Sequence, residues 1–130
     1  MAAKKHQQKF SLSRRAKSFI HSFHGIKLLI KEEHNARIHL LAIVLVIIAG
    51  IFLNISRFEW IAVVLAMGLV LTAEILNTSI ENLADFISPE RNNRIKKVKD
   101  LAAAGVFVAA LAAFITGLII FAPKFIRLFS

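Results

Sequence analysis

The chain has 130 residues, of which 57% are hydrophobic, and its mean hydropathy is +0.66. These values exceed those of an ordinary soluble domain of this size, and the apolar residues form blocks long enough to cross a bilayer. Lysine and arginine outnumber aspartate and glutamate by 17 to 8, which gives a formal net charge of +9. No nucleic-acid-binding motif accompanies these cations, so nucleic acid is not predicted as a partner. The absence of cysteine excludes disulfides and thiolate metal sites.

The first part of the chain predicts a helix that lies on the membrane surface. Residues 1–8 are polar and basic, which predicts disorder. From residue 9 to 31, apolar side chains recur at helical spacing, with cations and histidines on the other faces. This pattern is typical of an amphipathic helix that dips phenylalanines into the interface and directs cations toward the lipid headgroups.

Three apolar segments follow and predict an all-α integral membrane protein with a single domain over residues 1–130. The expected transmembrane helices cover about residues 38–55, 58–87 and 100–121. A polar turn precedes the second segment, Ser88-Pro89 ends it, and residues 90–99 form a polar, basic loop. The third segment is rich in alanine and glycine, which allow close helix packing in lipid.

The distribution of cations predicts the orientation. Nine lysines and arginines precede the first segment and five lie in the loop after the second, whereas only Arg57 lies between the first two segments. Both heavily charged regions are therefore expected on the cytoplasmic side of the membrane, with the N-terminus and the 88–99 loop inside.

Polar residues interrupt the second apolar segment on one helix face. At about 100° per residue, the side chains of Glu74, Asn77, Glu81 and Asp85 fall within an arc of roughly 80°. Each ionisable group near the bilayer centre costs roughly 2.5–3.5 kcal/mol, so three on one face indicate a function. The alternative is a paired polar network with only a structural role.

These side chains are suited to phosphoryl transfer. Glu33 and Glu81 supply hard oxygen ligands that suit Mg²⁺, although Glu33 could instead be a solvated partner of a nearby cation. Glu74 could accept a proton from a hydroxyl that arrives within the lipid, and Asn77 could orient a neighbour. Cations of the loop could bind phosphate oxygens or could only set the topology (Arg91, Arg94, Lys96, Lys97 and Lys99).

The run from Ala73 to Glu81, followed by Asp85 and by Lys99-Asp100 at the start of an alanine-rich segment, resembles the signature of the small prokaryotic diacylglycerol kinase family, which includes undecaprenol kinases. The resemblance implies a three-span inner-membrane enzyme that assembles as a homotrimer. Such an enzyme transfers the γ-phosphate of ATP to the hydroxyl of a lipid alcohol. The stretch Arg37-Ile38-His39-Leu40 resembles the undecaprenol kinase branch, whereas enterobacterial diacylglycerol kinases tend to carry an acidic residue where His39 stands.

Roles follow from matching positions in that family. Glu74 is expected to be the catalytic base that meets the lipid hydroxyl, with Asn77 supporting it. Glu33 and Glu81 are expected to hold Mg²⁺. Asp85 is expected to lie next to these ligands without touching the ion itself. The expected ATP-binding residues are Arg14, His21, Glu33, Glu81, Glu90, Arg91, Asn92, Lys99 and Asp100. The loop departs from the His-Pro sequence often found there, which leaves the adenine contacts open.

Three alternatives remain at this stage. The acceptor lipid could be diacylglycerol instead of undecaprenol, with the same chemistry. A small oligomer could conduct protons or ions through Glu74 and Glu81, but that hypothesis offers no role for Lys99-Asp100. A purely structural assembly protein is the third alternative.

Overall fold

Residues 11–130 are described by a computed structural model of the protein, and all regular structure in this range is α-helical. The helices are α1 (Leu12–Glu32), α2 (His34–Phe52), α3 (Arg57–Ile87) and α4 (Asn93–Leu128). The last three are long and apolar enough to cross a membrane. The predicted architecture of three spanning helices after an amphipathic helix is therefore confirmed. The disorder predicted for residues 1–8, and residues 9–10 of the first predicted helix, lie outside the described range.

The third spanning helix extends beyond its predicted limits at both ends. It begins at Asn93 and not near residue 100, because the Asn92 side chain accepts a hydrogen bond from the Arg94 backbone N–H at 2.8 Å and caps the helix. Most of the predicted polar loop is thus helical, and only residues 88–92 connect α3 with α4. At the other end α4 continues through Pro123 to Leu128.

Glu33 lies at a sharp break between the surface helix and the first spanning helix. Its backbone is extended (φ −103°, ψ 116°), which ends α1, and α2 starts at the next residue. Arg37 reaches back from α2 and donates from Nε to the carbonyl oxygen of Ile30 at 2.8 Å, and from its guanidinium group to that of Lys31. A cation that donates to the last carbonyl groups of a helix satisfies acceptors that have no partner within the helix. It also interacts favourably with the negative end of the helix dipole. This contact holds Glu33 at the junction.

The opposite end of the bundle is closed by a capping box and an ion pair. The Ser56 backbone N–H donates to Glu59 Oε2 at 2.6 Å, and the Glu59 backbone N–H donates to Ser56 Oγ at 3.3 Å. Lys124 Nζ lies 3.2 Å from Glu59 Oε2. Because Lys124 belongs to the last turns of α4, this pair joins the start of α3 to the end of α4.

Packing of α4 against α3 forms the largest helix contact, while α1 contacts both α2 and α3. A small apolar core near the α2–α3 turn contains Ile55, Val63 and Ile120, with Trp60 packed against it. Gly50 of α2 is buried beneath the Trp60 ring. A Cβ atom at Gly50 would lie 2.8 Å from Trp60 Cη2 and 3.1 Å from Ile55 Cδ1, so the close approach of α2 and α3 requires a glycine here.

We expect the substitution Gly50→Ala to destabilise the protein, because the added methyl group displaces Trp60 and Ile55. Overpacking of this kind costs about 1–3 kcal/mol. Gly68→Ala is the matched control, since a Cβ atom there meets no atom within 4 Å. Thermal unfolding in detergent should give a lower midpoint for Gly50→Ala than for Gly68→Ala, and equal midpoints would contradict the packing described here.

Candidate active site

The carboxylate of Glu74 is buried at the contact between α2 and α3. The residue is only 2% exposed, and His39 Nε2 of α2 lies 3.0 Å from Glu74 Oε1. The two groups are close enough for an ion pair but are not aligned as a hydrogen bond, so Oε1 has no hydrogen-bond partner among the described residues. Buried carboxylate oxygens are normally hydrogen-bonded. The unmet acceptor therefore indicates a position where a hydroxyl could donate.

The next turn of α3 carries two more buried polar atoms without a partner in the described range. Asn77 donates from Nδ2 to Glu81 Oε1 at 3.0 Å, but Asn77 Oδ1 has no donor. Thr78, 9% exposed, has an unpartnered Oγ1. The face of α3 that carries Glu74, Asn77, Glu81 and Asp85, here called the acidic stripe, is thus present. It runs from buried Glu74 through half-buried Glu81 to exposed Asp85.

Glu33 and Glu81 are the other carboxylates of this site. Both lie close enough to Glu74 for their negative charges to act on it, and both are half-buried. No group of three His, Cys, Asp or Glu side chains able to hold a metal occurs within residues 11–130. Two carboxylates still fit Mg²⁺, because this ion is usually bound through one or two carboxylates together with waters and substrate phosphates. The donor chemistry of Glu33 and Glu81 therefore suits a magnesium ion that arrives with a nucleotide.

One ion pair joins the end of α3 to the start of α4, and a second lies within the first turns of α4. Lys99 Nζ lies 2.5 Å from Asp85 Oδ1, which links the last turns of α3 to the first turns of α4. Lys96 Nζ lies 2.6 Å from Asp100 Oδ2 on the exposed face of α4. Lys99 and Asp100 were both predicted to contact ATP and are adjacent in the sequence. Their side chains nevertheless form ion pairs with different partners, Asp85 and Lys96.

A cleft of about 580 Å³ lies where the connector meets these helix ends. It brings together several of the side chains predicted to bind ATP, namely Glu90, Arg91, Asn92 and Lys99, together with Asp85. Asp100, Glu33 and Glu81 do not line it. Arg14 and His21, which are exposed on α1, do not line it either. Four of the residues predicted to bind ATP therefore line one cleft within a single chain.

A second cleft, of about 460 Å³, lies between α2, α3 and α4 and is almost entirely apolar. His39 lines one end of it, beside Glu74, and Phe121 lines the other. No sequence pattern indicated this cleft or the His39–Glu74 contact, because both depend on the relative position of separate helices. Helical spacing alone could have found Thr78, which lies one turn after Glu74 on the same face.

Comparisons with known proteins bear on what this site does. The family model described as prokaryotic diacylglycerol kinase matches residues 20–121. An undecaprenol kinase of Bacillus subtilis is 37% identical over 124 residues, which cover 95% of this chain and 99% of that protein. A diacylglycerol kinase of Synechocystis is 31% identical over 85% of this chain and 64% of its own length. One of Haemophilus influenzae is 30% identical over 68% of this chain and 75% of its own length. The resemblance noted in the sequence is thereby confirmed, and the chain belongs to the prokaryotic diacylglycerol kinase family of membrane lipid kinases.

Proposed function

We propose that the chain is a Mg-ATP-dependent kinase that transfers the γ-phosphate of ATP to the hydroxyl of undecaprenol and yields undecaprenyl phosphate. The observation that carries this acceptor is the 37% identity to an undecaprenol kinase over nearly the full length of both chains. His39 adds support, because it contacts Glu74 at the place where the enterobacterial branch tends to carry an acid.

Glu74 acts as the general base in this proposal. Its unpartnered Oε1 is the acceptor for the proton of the lipid hydroxyl, and removal of that proton makes the alcohol oxygen a better nucleophile toward the γ-phosphorus. The burial of Glu74 supports this role, because water has little access to compete with the lipid hydroxyl. His39 Nε2 lies 3.0 Å from Glu74 Oε1 and borders the place where that hydroxyl would arrive.

Glu33 and Glu81 would hold the magnesium ion, which supplies Lewis-acid charge to the phosphate oxygens. Asn77 assists Glu81, because its amide hydrogen bond fixes the orientation of that carboxylate. Asp85 lies one turn further along α3 and positions Lys99 toward the cleft at the connector.

The nucleotide would lie against the connector and the start of α4. Lys99 and Arg91 line the cleft there and suit phosphate oxygens, while Glu90 and Asn92 offer acceptors and donors to the rest of the nucleotide. The remaining proposed ATP contacts are Arg14, His21 and Asp100. Arg14 and His21 lie on exposed α1, so they would have to meet the nucleotide from outside that cleft or from another subunit of the proposed homotrimer.

The protein is a multi-pass membrane protein with three spanning helices. In the proposed orientation the N-terminus and the 88–99 segment face the cytoplasm of the bacterial inner membrane. The cation distribution and the position of the basic cleft at the connector support this arrangement.

Diacylglycerol is the second candidate acceptor, and the diacylglycerol kinases among the similar proteins favour it. Purified protein in micelles with Mg-ATP should give a kcat/KM for undecaprenol that exceeds the value for diacylglycerol by at least about tenfold, which corresponds to 1.4 kcal/mol of transition-state binding. Phosphorylated lipid is the quantity to measure. A clear preference for diacylglycerol would reverse the assignment, and nucleotide-independent ion flux in liposomes without lipid phosphorylation would favour a conducting oligomer.

Replacing the proposed base tests the chemistry. We expect Glu74→Gln to lower kcat by roughly 100-fold or more, since general base catalysis contributes about 10²–10⁴-fold. Glu59→Gln is a matched control on the same helix, because Glu59 lies at the opposite end and pairs with Lys124. Full activity of folded Glu74→Gln protein would show that another group removes the proton.

Magnesium dependence tests the role of Asn77. Asn77→Ala removes the hydrogen bond that orients Glu81 and should raise the Mg²⁺ concentration for half-maximal turnover by about tenfold or more. Ser79→Ala is the control, because its exposed hydroxyl only bonds the Ile75 carbonyl oxygen of the same helix. An unchanged magnesium dependence in Asn77→Ala would argue against Glu81 as a metal ligand.

A further inference from the structure

Glu74 and Thr78 are the two buried polar residues within residues 11–130, and each has a side-chain oxygen without a hydrogen-bond partner in that range. Residues four positions apart share one face of a helix, with their Cβ atoms about 5–6 Å apart. One water molecule can bridge polar groups at such a spacing. Because buried polar atoms normally pair with protein or with ordered water, these two oxygens indicate a binding position for water.

Thr78 also lines a cleft of about 400 Å³ between α1 and α3. The hydroxyls of Ser22 and Ser79 line it too, but each already donates to a carbonyl oxygen one turn earlier in its own helix. Asn82, one turn beyond Thr78 on α3, is exposed and brings an amide donor and acceptor to the mouth of the cleft. Polar groups therefore lead from buried Thr78 to the protein surface.

The proposed reaction leaves a proton on Glu74. The lipid hydroxyl loses this proton to the carboxylate as its oxygen bonds to the γ-phosphorus and the bond from that phosphorus to the ADP oxygen breaks. ATP and an alcohol thus become ADP, a phosphorylated lipid and a proton. Glu74 must return the proton to water before the next turnover, although the residue is only 2% exposed.

Three ionisable groups near Glu74 offer no better way out. Glu33 and Glu81 would hold magnesium in the proposed function, so they are not free to take the proton. His39 Nε2 lies 3.0 Å from Glu74 Oε1, but His39 lines the apolar cleft. Thr116, the other polar side chain among the described residues of that cleft, already donates to a carbonyl oxygen of α4. A proton on His39 therefore meets no polar path through that cleft.

We propose that the cleft between α1 and α3 carries this proton to the surface, with Thr78 as the positioning residue that holds the first water molecule. The inference rests on the proposed function, because the proton comes from the lipid hydroxyl. Glu74 Oε1 donates the proton to the water at Thr78, and further water passes it along Asn82 to the surface. None of the described residues that line the cleft is charged, so no fixed charge traps or repels the proton. One held water accepts a proton without exposing Glu74 to bulk solvent.

Proton release measured together with lipid phosphorylation tests the inference. Wild-type and Thr78→Val proteins in micelles are mixed with Mg-ATP and undecaprenol in a weakly buffered solution with a pH indicator, and phosphorylated lipid is quantified during the first turnover. In the wild type, proton release should keep pace with phosphorylation. Valine keeps the shape of the side chain but removes its hydroxyl. Proton release should therefore become about tenfold slower, as for the loss of one hydrogen bond, while first-turnover phosphorylation is unchanged.

Two further variants serve as controls. Thr78→Ser retains the hydroxyl and should behave as the wild type. Ser79→Ala should also do so, because the Ser79 hydroxyl already donates to the Ile75 carbonyl oxygen. Proton release that keeps pace with phosphorylation in Thr78→Val would overturn the inference and leave the proposed function intact. An equal fall in both rates would also overturn it, because Thr78 would then act on the chemical step. Absence of Mg-ATP-dependent phosphorylation of any lipid alcohol by the wild type would overturn the proposed function itself.

Thiol accessibility keeps the inference testable even if Thr78→Val does not fold. The chain has no cysteine, so Thr78→Cys introduces a single thiol. A small, charged methanethiosulfonate reagent should modify this thiol through the water of the cleft. Thr116→Cys, in the apolar cleft, is the matched control and should react at least about tenfold more slowly, because thiolates form poorly in apolar surroundings. Equally slow modification of both variants would overturn the inference, since lipid or another copy of the chain would then fill the cleft between α1 and α3.

Discussion

The buried carboxylate of Glu74 imposes the main constraint on this protein. An acid that is 2% exposed within an apolar bundle is stable only if neighbouring groups compensate its charge, and His39 of α2 lies 3.0 Å away. The contact joins α2 to α3 at the level where the acidic stripe begins. Oε1 of Glu74 nevertheless has no hydrogen-bond partner among residues 11–130.

The rest of the bundle positions that carboxylate between two different environments. Toward one end, Asp85–Lys99 and the short connector gather charged side chains around a polar cleft suited to a phosphate-rich ligand. Toward the other, the cleft between α2, α3 and α4 is lined almost entirely by apolar side chains. A kinase that joins a water-soluble nucleotide to a lipid needs such a boundary, because the two substrates favour different solvents and must meet at one atom.

The ends of the helices maintain this geometry. Arg37 caps α1 and keeps Glu33 at the junction with α2, while the Ser56–Glu59 capping box and Lys124 close the opposite end. Exposed pairs of this type contribute little stability individually, at about 0–1 kcal/mol. The Arg37 and Lys124 contacts mainly set helix direction, because each joins two helices, whereas the capping box acts within the first turn of α3. Gly50 adds a steric condition by allowing Trp60 to pack closely on α2.

Local sequence patterns were sufficient to predict the class of the protein, its helices and its acidic stripe. Bilayer-length apolar blocks and the spacing of Glu74, Asn77 and Glu81 are local patterns, readable because helical periodicity fixes which side chains share a face. Even the extra length of α4 has a local signal in the Asn92 cap. The packing of the helices was needed to show that His39 meets Glu74, that Lys99 pairs with Asp85, and that His39 also lines an apolar cleft between α2, α3 and α4. These features depend on the rotation and register of one helix against another, which the pattern of any single helix does not specify.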